Sequence, residues 1–183
     1  MEYIVLDKLN EVLQRLPQLL QDPSMWDSIV INKAKPVTYR VFTNYFGGAN
    51  YRVCLHKFEK CSTLESFMHP HAWPAAFKLL KGSYELELDR SNGYSVLPDS
   101  IRREWRPCKD SHKIIMVSGS SYQMVHPLVW HKISPLEETY TVMINGDEYA
   151  KKHRKCRTTK GKGLDKMPKG DLLDFLEQFR RLV

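Results

Sequence analysis

Leucines recur at steps of three and four near the start of the chain, at Leu6, Leu9, Leu13, Leu16 and Leu20. That spacing lines them on one face, so an amphipathic helix is expected over residues 3–20. Pro17 kinks or shortens its end, and Asp22-Pro23 stops it. From residue 36 the apolar pattern changes to strands. "VTYRVFTNYF" is dense in β-branched and aromatic residues, and "GGAN" supplies a turn. "YRVCLHKFE" then sets Val53 and Leu55 on one face against Arg52, Cys54, His56 and Phe58 on the other. Two such strands around a Gly-Gly loop predict a hairpin. "AFKLLKGSYELEL" reads as a strand, a corner at Gly82, and a strand whose Tyr84, Leu86 and Leu88 alternate with Glu85 and Glu87. Asn92-Gly93 marks another turn, and "IRREWRPCKDS" is ambiguous. "KIIMVSGSSYQMVHP", "LVWHKISP" and "TYTVMING" give three more short strands. Leu172, Leu173, Leu176, Phe179 and Leu182 return to helical spacing, with Gly170-Asp171 as the N-cap.

Short strands with turn residues between them argue for a sandwich or barrel. The expected organisation is an N-terminal helix and lead-in over 1–35, a β-barrel over 36–150, and a basic arm with a C-terminal helix over 151–183. A chain of 183 residues can bury a core of its own as one domain.

Charge changes this picture in one place. The net charge is +7, but residues 151–169 hold nine Lys/Arg against one acid, Asp165, so the rest of the chain carries −1. The basicity is that of an arm, not of a uniformly basic body. The arm reads either as a tracker of nucleic-acid phosphates or as a solvated connector, and it lacks aromatics for base stacking. No apolar run is long enough to span a bilayer. "MEYIVLDKLNEVL" has acids where a secretory signal has a basic region. Four uneven cysteines, Cys54, Cys61, Cys108 and Cys156, do not make a disulfide framework, and a reducing cytoplasm is the expected location.

The chemistry concentrates in "FMHPHAW". On an extended segment His69 and His71 project from the same face, so both can ligate one metal. A third ligand has to come from elsewhere: His131 in "HPLVWHKISP" is the candidate and His126 the competitor. Taken alone, H-P-H also reads as a histidine-bearing turn. Trp73 and Trp130 flank these histidines as pocket walls or core aromatics, and Tyr39 and Tyr122 either point into a barrel or pack. Cys108 and His112, with His153 and Cys156, form a weaker zinc candidate without a C-x2-C pair.

Taken together, His69, His71, the glycine at 82, the strand after it and the later His131 resemble the two motifs of the cupin superfamily. The glutamate of the first motif falls at Ala75, so a site of three histidines and a glutamate is not expected. Three histidines without the glutamate are similar to the thiol dioxygenases of that superfamily, with cysteine dioxygenase as the type. "YRVFTNYFGGANYRVCLHKFE" and "WHKISPLEETYTVMI" resemble that group's early hairpin and late strands. The resemblance covers about residues 36–146. It implies a mainly β fold: a single cupin-like double-stranded β-helix (jelly-roll) barrel with flanking N- and C-terminal helices. It also implies Fe(II) on His69, His71 and His131, and Arg40 as the anchor of the substrate's carboxylate. The cysteine that crosslinks to tyrosine in the animal enzymes falls at Ala76, and Tyr140 and Tyr149 are both out of register for its partner.

The expected function is therefore a metal-dependent oxygenase acting with O2 on a small anionic or thiol substrate. The same triad suits Zn, Ni or Mn. The alternative is a non-catalytic cupin, holding no metal, that uses the barrel for a small ligand or nucleotide and the arm for a nucleic-acid or protein partner. A monomer and a homodimer are both compatible with the sequence, and no membrane partner is expected.

Overall fold

The computed structural model describes residues 5–43, 51–71, 73–89, 111–124, 130–146 and 164–183. Two antiparallel sheets form the body, a β-barrel with one helix before its strands and one after them. Helix α1 (Val5–Leu19) comes first, then β1 (Asp27–Ile31), β2 (Thr38–Thr43) and β3 (Arg52–Phe58). The two-residue β4 (His69–Pro70) is followed by β5 (Ala75–Lys81), β6 (Ser83–Asp89), β7 (Ser111–Val117), β8 (Ser121–Met124), β9 (Trp130–Pro135) and β10 (Thr139–Asn145). Helix α2 (Lys169–Arg180) closes the chain. The larger sheet runs β1-β2-β3-β10-β5-β8 and the smaller β4-β9-β6-β7.

Strand alternation divides the interior into two layers. On one face of the larger sheet Val41, Val53, Leu55, Ala76, Val142 and Ile144 pack beneath both helices. From α1 come Leu9, Val12, Leu16 and Leu19, and from α2 Phe175, Leu176 and Phe179. The other face of the same strands looks into the barrel through Arg40, His56, Thr141 and Met143. Strand β10, paired with β3 and β5, is buried from Thr139 to Ile144 for this reason. The smaller sheet turns Tyr84, Leu86 and Ile133 inward. Its outer face carries the ion pair Lys132–Glu87 at 3.0 Å, both side chains 5% exposed or less. The segment before β4 covers that pair: Lys132 Nζ donates to the Thr63 carbonyl, and the Ser66 and Ser134 hydroxyls meet at 2.6 Å.

Gly82 makes the corner between the sheets. Its φ is +86°, and a Cβ there would stand 2.6 Å from the Glu138 carbonyl oxygen and 2.9 Å from Thr139 Cα. Only glycine meets both demands. Gly82→Ala is expected to cost about 3 kcal/mol, combining left-handed strain with a backbone collision. Urea denaturation measures it, and a loss below about 1 kcal/mol would show that the corner relaxes.

The helix at the N-terminus, the β2–β3 hairpin and the inward Tyr84 and Leu86 follow the sequence expectation. Four details differ. Residues 27–31, counted with the lead-in, form edge strand β1. "KIIMVSGSSYQMVHP", read as one strand, contains two, because the Ser118-Gly119 turn (Gly119 φ +89°) sends β7 and β8 to different sheets. Helix α2 starts at Lys169 after Pro168, with no side-chain cap, and it buries Phe175 while leaving Leu173 exposed. The end of the basic arm is docked: Val30 N–H donates to the Asp165 carbonyl at 2.8 Å, and Met167 N–H to Ser28 Oγ at 3.2 Å. Residues 151–163, the "GGAN" and Asn92-Gly93 turns, His126, Cys108, His153, Cys156 and Tyr149 lie outside the described residues.

Candidate metal centre

Strand register assembles the site. β4 pairs antiparallel with β9, which sets His69 opposite His131. His71 follows two residues on and turns to the same place: its Nε2 is 2.7 Å from His131 Nε2, one ring donating N–H to the other's lone pair. The rings of His69 and His71 each stand 4.6 Å from that of His131, centre to centre. Each histidine offers one ring nitrogen, and these nitrogens all lie within 4.8 Å of one another. No other such cluster exists among the described residues.

Electrostatics favours the ligating form of all three. Burial pushes His71 and His131 far below the usual imidazole range, and neighbouring histidines add to the shift. His69 is brought down to about 4, chiefly by burial. At neutral pH each ring therefore keeps a lone pair to give. Three neutral nitrogens without a carboxylate fit a borderline first-row divalent ion such as Fe(II) or Zn(II) and leave other coordination positions open.

The triad opens on a cavity of about 110 Å³ whose walls are mostly apolar. Phe77 stacks on Tyr122 with centroids 4.6 Å apart, and the Tyr84 hydroxyl donates to that of Tyr122 at 3.1 Å. Arg40 reaches in from β2, and its Nε donates to His56 Nε2 at 2.8 Å. Among the described lining residues there is no Asp or Glu.

The structure thus brings His69, His71, His131 and Arg40 around one cavity. Ala75 is fully buried in the cluster of Cys54, Phe77 and Met143, on the inward face of β5. A carboxylate is missing where the strand does point inward. Ala76 faces the helices instead. Tyr122 lines the cavity, whereas Tyr39 lies on the outer side and bonds Glu59 at 2.9 Å. Tyr140 also faces outward, to Glu138 and Gln178. Trp73 packs edge-on to His71 at 6.0 Å. Cys54 is a buried thiol. His112 is exposed on β7. His56 also lines the cavity, and the sequence alone does not mark it as functional. Its only signal was its place on the face of β3 opposite Val53 and Leu55.

No protein-family model matches the sequence, and no curated protein matches it. Solved structures do resemble the fold. Hydroxypropylphosphonic acid epoxidase from S. wedmorenis is 9% identical with a TM-score of 0.49 over 68% of this chain, which spans 57% of the epoxidase's length. KdgF from Halomonas sp. is 13% identical with a TM-score of 0.41, covering 61% of this chain and 80% of its own. An RmlC-like cupin from Shewanella frigidimarina is 11% identical with a TM-score of 0.44, covering 68% and 87%. At such identities and TM-scores these likenesses carry no argument about this chain, and the fold and the chemistry of the site are read from its own strands and residues.

Proposed function

We propose that this chain is a metal-dependent oxygenase of the thiol-dioxygenase type, acting on a small anionic thiol. One observation carries the reading: three neutral histidines able to share a metal line the same small cavity as a guanidinium, with no Asp or Glu among the described lining residues. Fe(II), when bound there, supplies open positions for a sulfur donor and for O2, and the product takes both oxygen atoms on sulfur. The protein's part is binding and exclusion. His69, His71 and His131 hold the ion from one side of the cavity. Arg40 takes the carboxylate of the substrate by paired N–H bonds, which fixes the distance between anion and sulfur. Phe77, Ile133 and Met143 limit the water that reaches the reacting sulfur.

Oxygen uptake with small thiols, measured on iron-loaded protein, tests this. Thioglycolate, the smallest thiol carboxylate, is expected to be consumed, with the sulfinate as product by mass spectrometry. Arg40→Gln is expected to raise KM about tenfold to a hundredfold, the weight of a charge-assisted pair, while iron content stays unchanged. Iron-loaded protein that consumes no oxygen with any thiol carboxylate would leave a binding protein as the better reading.

A further inference from the structure

The proposed function gives a task to four polar residues of the cavity, and His56 is among the lining residues it leaves without one. His56 is 1% exposed, on the central part of β3. Register puts it in one row with two others: Arg40 lies opposite it on β2 and Thr141 opposite it on β10. All three face the cavity. Arg40 Nε donates to His56 Nε2 at 2.8 Å, and His56 Nδ1 is 3.3 Å from Thr141 Oγ1. Phe58 stacks on the imidazole with centroids 5.4 Å apart and limits its rotation.

We infer that His56 is a positioning residue for Arg40, fixing which edge of the guanidinium faces the ligand. This rests on the reading of Arg40 as the anion anchor. A guanidinium can grip a carboxylate side-on, through Nε and one Nη, or end-on, through both Nη groups. Here Nε is taken, so the end-on edge is left for the ligand. The acceptor on His56 is a lone pair on Nε2, which places the ring proton on Nδ1, where Thr141 Oγ1 accepts it. The ring is thus neutral, and this matters for charge. A carboxylate in the same place would hold Arg40 equally well and would also cancel its charge. A neutral imidazole orients the cation and leaves its charge for an incoming anion. The buried guanidinium then draws its counter-ion from the ligand.

The ligand class follows. It carries one compact planar anion, a carboxylate, matched to two parallel N–H donors. A thiol of the same size without the carboxylate gains nothing from this row of residues.

Calorimetry on the metal-containing full-length protein, under nitrogen so that no turnover occurs, compares thioglycolate with 2-mercaptoethanol. Wild type is expected to bind thioglycolate at least about tenfold more tightly, the weight of one charge-assisted pair. His56→Leu is expected to bring the two affinities within about twofold of each other, leaving 2-mercaptoethanol binding and metal content unchanged. His56→Gln, whose amide oxygen can accept from Arg40 Nε, is expected to restore most of the preference. Thr141→Val, which removes the acceptor for Nδ1–H, should reduce the preference about threefold even if His56→Leu fails to fold. The inference is overturned if His56→Leu keeps the wild-type preference, or if it weakens both ligands by the same factor, which is what mere packing predicts. A wild type without preference for thioglycolate overturns the anchor reading of Arg40 itself. That failure shows in the wild-type arm alone and is thus distinct from a failure of His56.

Discussion

Replacing His131 with alanine removes bound metal. Protein purified without a metal-binding tag is expected to carry near-stoichiometric metal as wild type and almost none as His131→Ala, by elemental analysis. The size of the effect follows from geometry. His131 is the ring that both others approach, at 4.6 Å from each and 2.7 Å nitrogen to nitrogen from His71. Without it, His69 and His71 remain as two ligands whose rings are 5.4 Å apart. Loss of an outer partner of a ligand already weakens metal sites about tenfold to a hundredfold, and loss of the ligand itself exceeds that. His69→Ala should behave the same way. Metal retained in both variants would mean that the ion sits elsewhere, and that the triad is a hydrogen-bonded cluster at the mouth of a turn.

Stripped of metal, the protein is expected to lose stability steeply as the pH falls from 6.5 toward 4. His69 is held at about 4 in the folded chain by burial, against about 6.5 when unfolded. Above pH 6.5 neither state binds the proton, and stability does not depend on this group. Between the two values only the unfolded chain binds it, so each pH unit costs about 1.4 kcal/mol. Below pH 4 both states are protonated and the dependence ends. His69 alone thus removes about 3 kcal/mol across the window. His56, His71 and His131 are shifted in the same direction, mainly by burial, and deepen the loss. Denaturation midpoints at pH 7, 5.5 and 4.5 on chelator-treated protein measure it. A flat profile would mean that these rings are solvated when the ion is absent.

The sequence carried the parts that repeat and missed the parts that depend on pairing. Leu9 and Leu16 announced α1 because helical spacing is local, and Tyr84 and Leu86 announced the inward face of β6 for the same reason. The H-x-H pair was legible because two residues on one extended segment share a side. The break between β7 and β8 was only half legible: Ser118-Gly119 is a local turn signal, but nothing local says that the strands on either side of it join different sheets. His56 was hidden likewise. A histidine in an alternating strand has no meaning until register sets Arg40 on one side of it and Thr141 on the other. Lys132 reads as a surface lysine by type, yet it is buried against Glu87 because a distant segment crosses above it.

Strand β1 has a consequence for how this protein is handled. It is the last strand of its sheet, and its outer edge is met by the bridge from Val30 to Asp165 and by the Lys166–Asp27 ion pair at 2.9 Å. An open edge is a template for another copy's strand, and a charged, hydrogen-bonded flap is a protection against such self-assembly. Residues 164–167 serve as that flap. A chain cut short before residue 164 would bare the β1 edge and the face beneath α2, and it is expected to aggregate for reasons unrelated to the basic arm. The arm's charge is better removed by Lys/Arg→Gln substitutions within 151–163, which keep the chain length and residues 164–183.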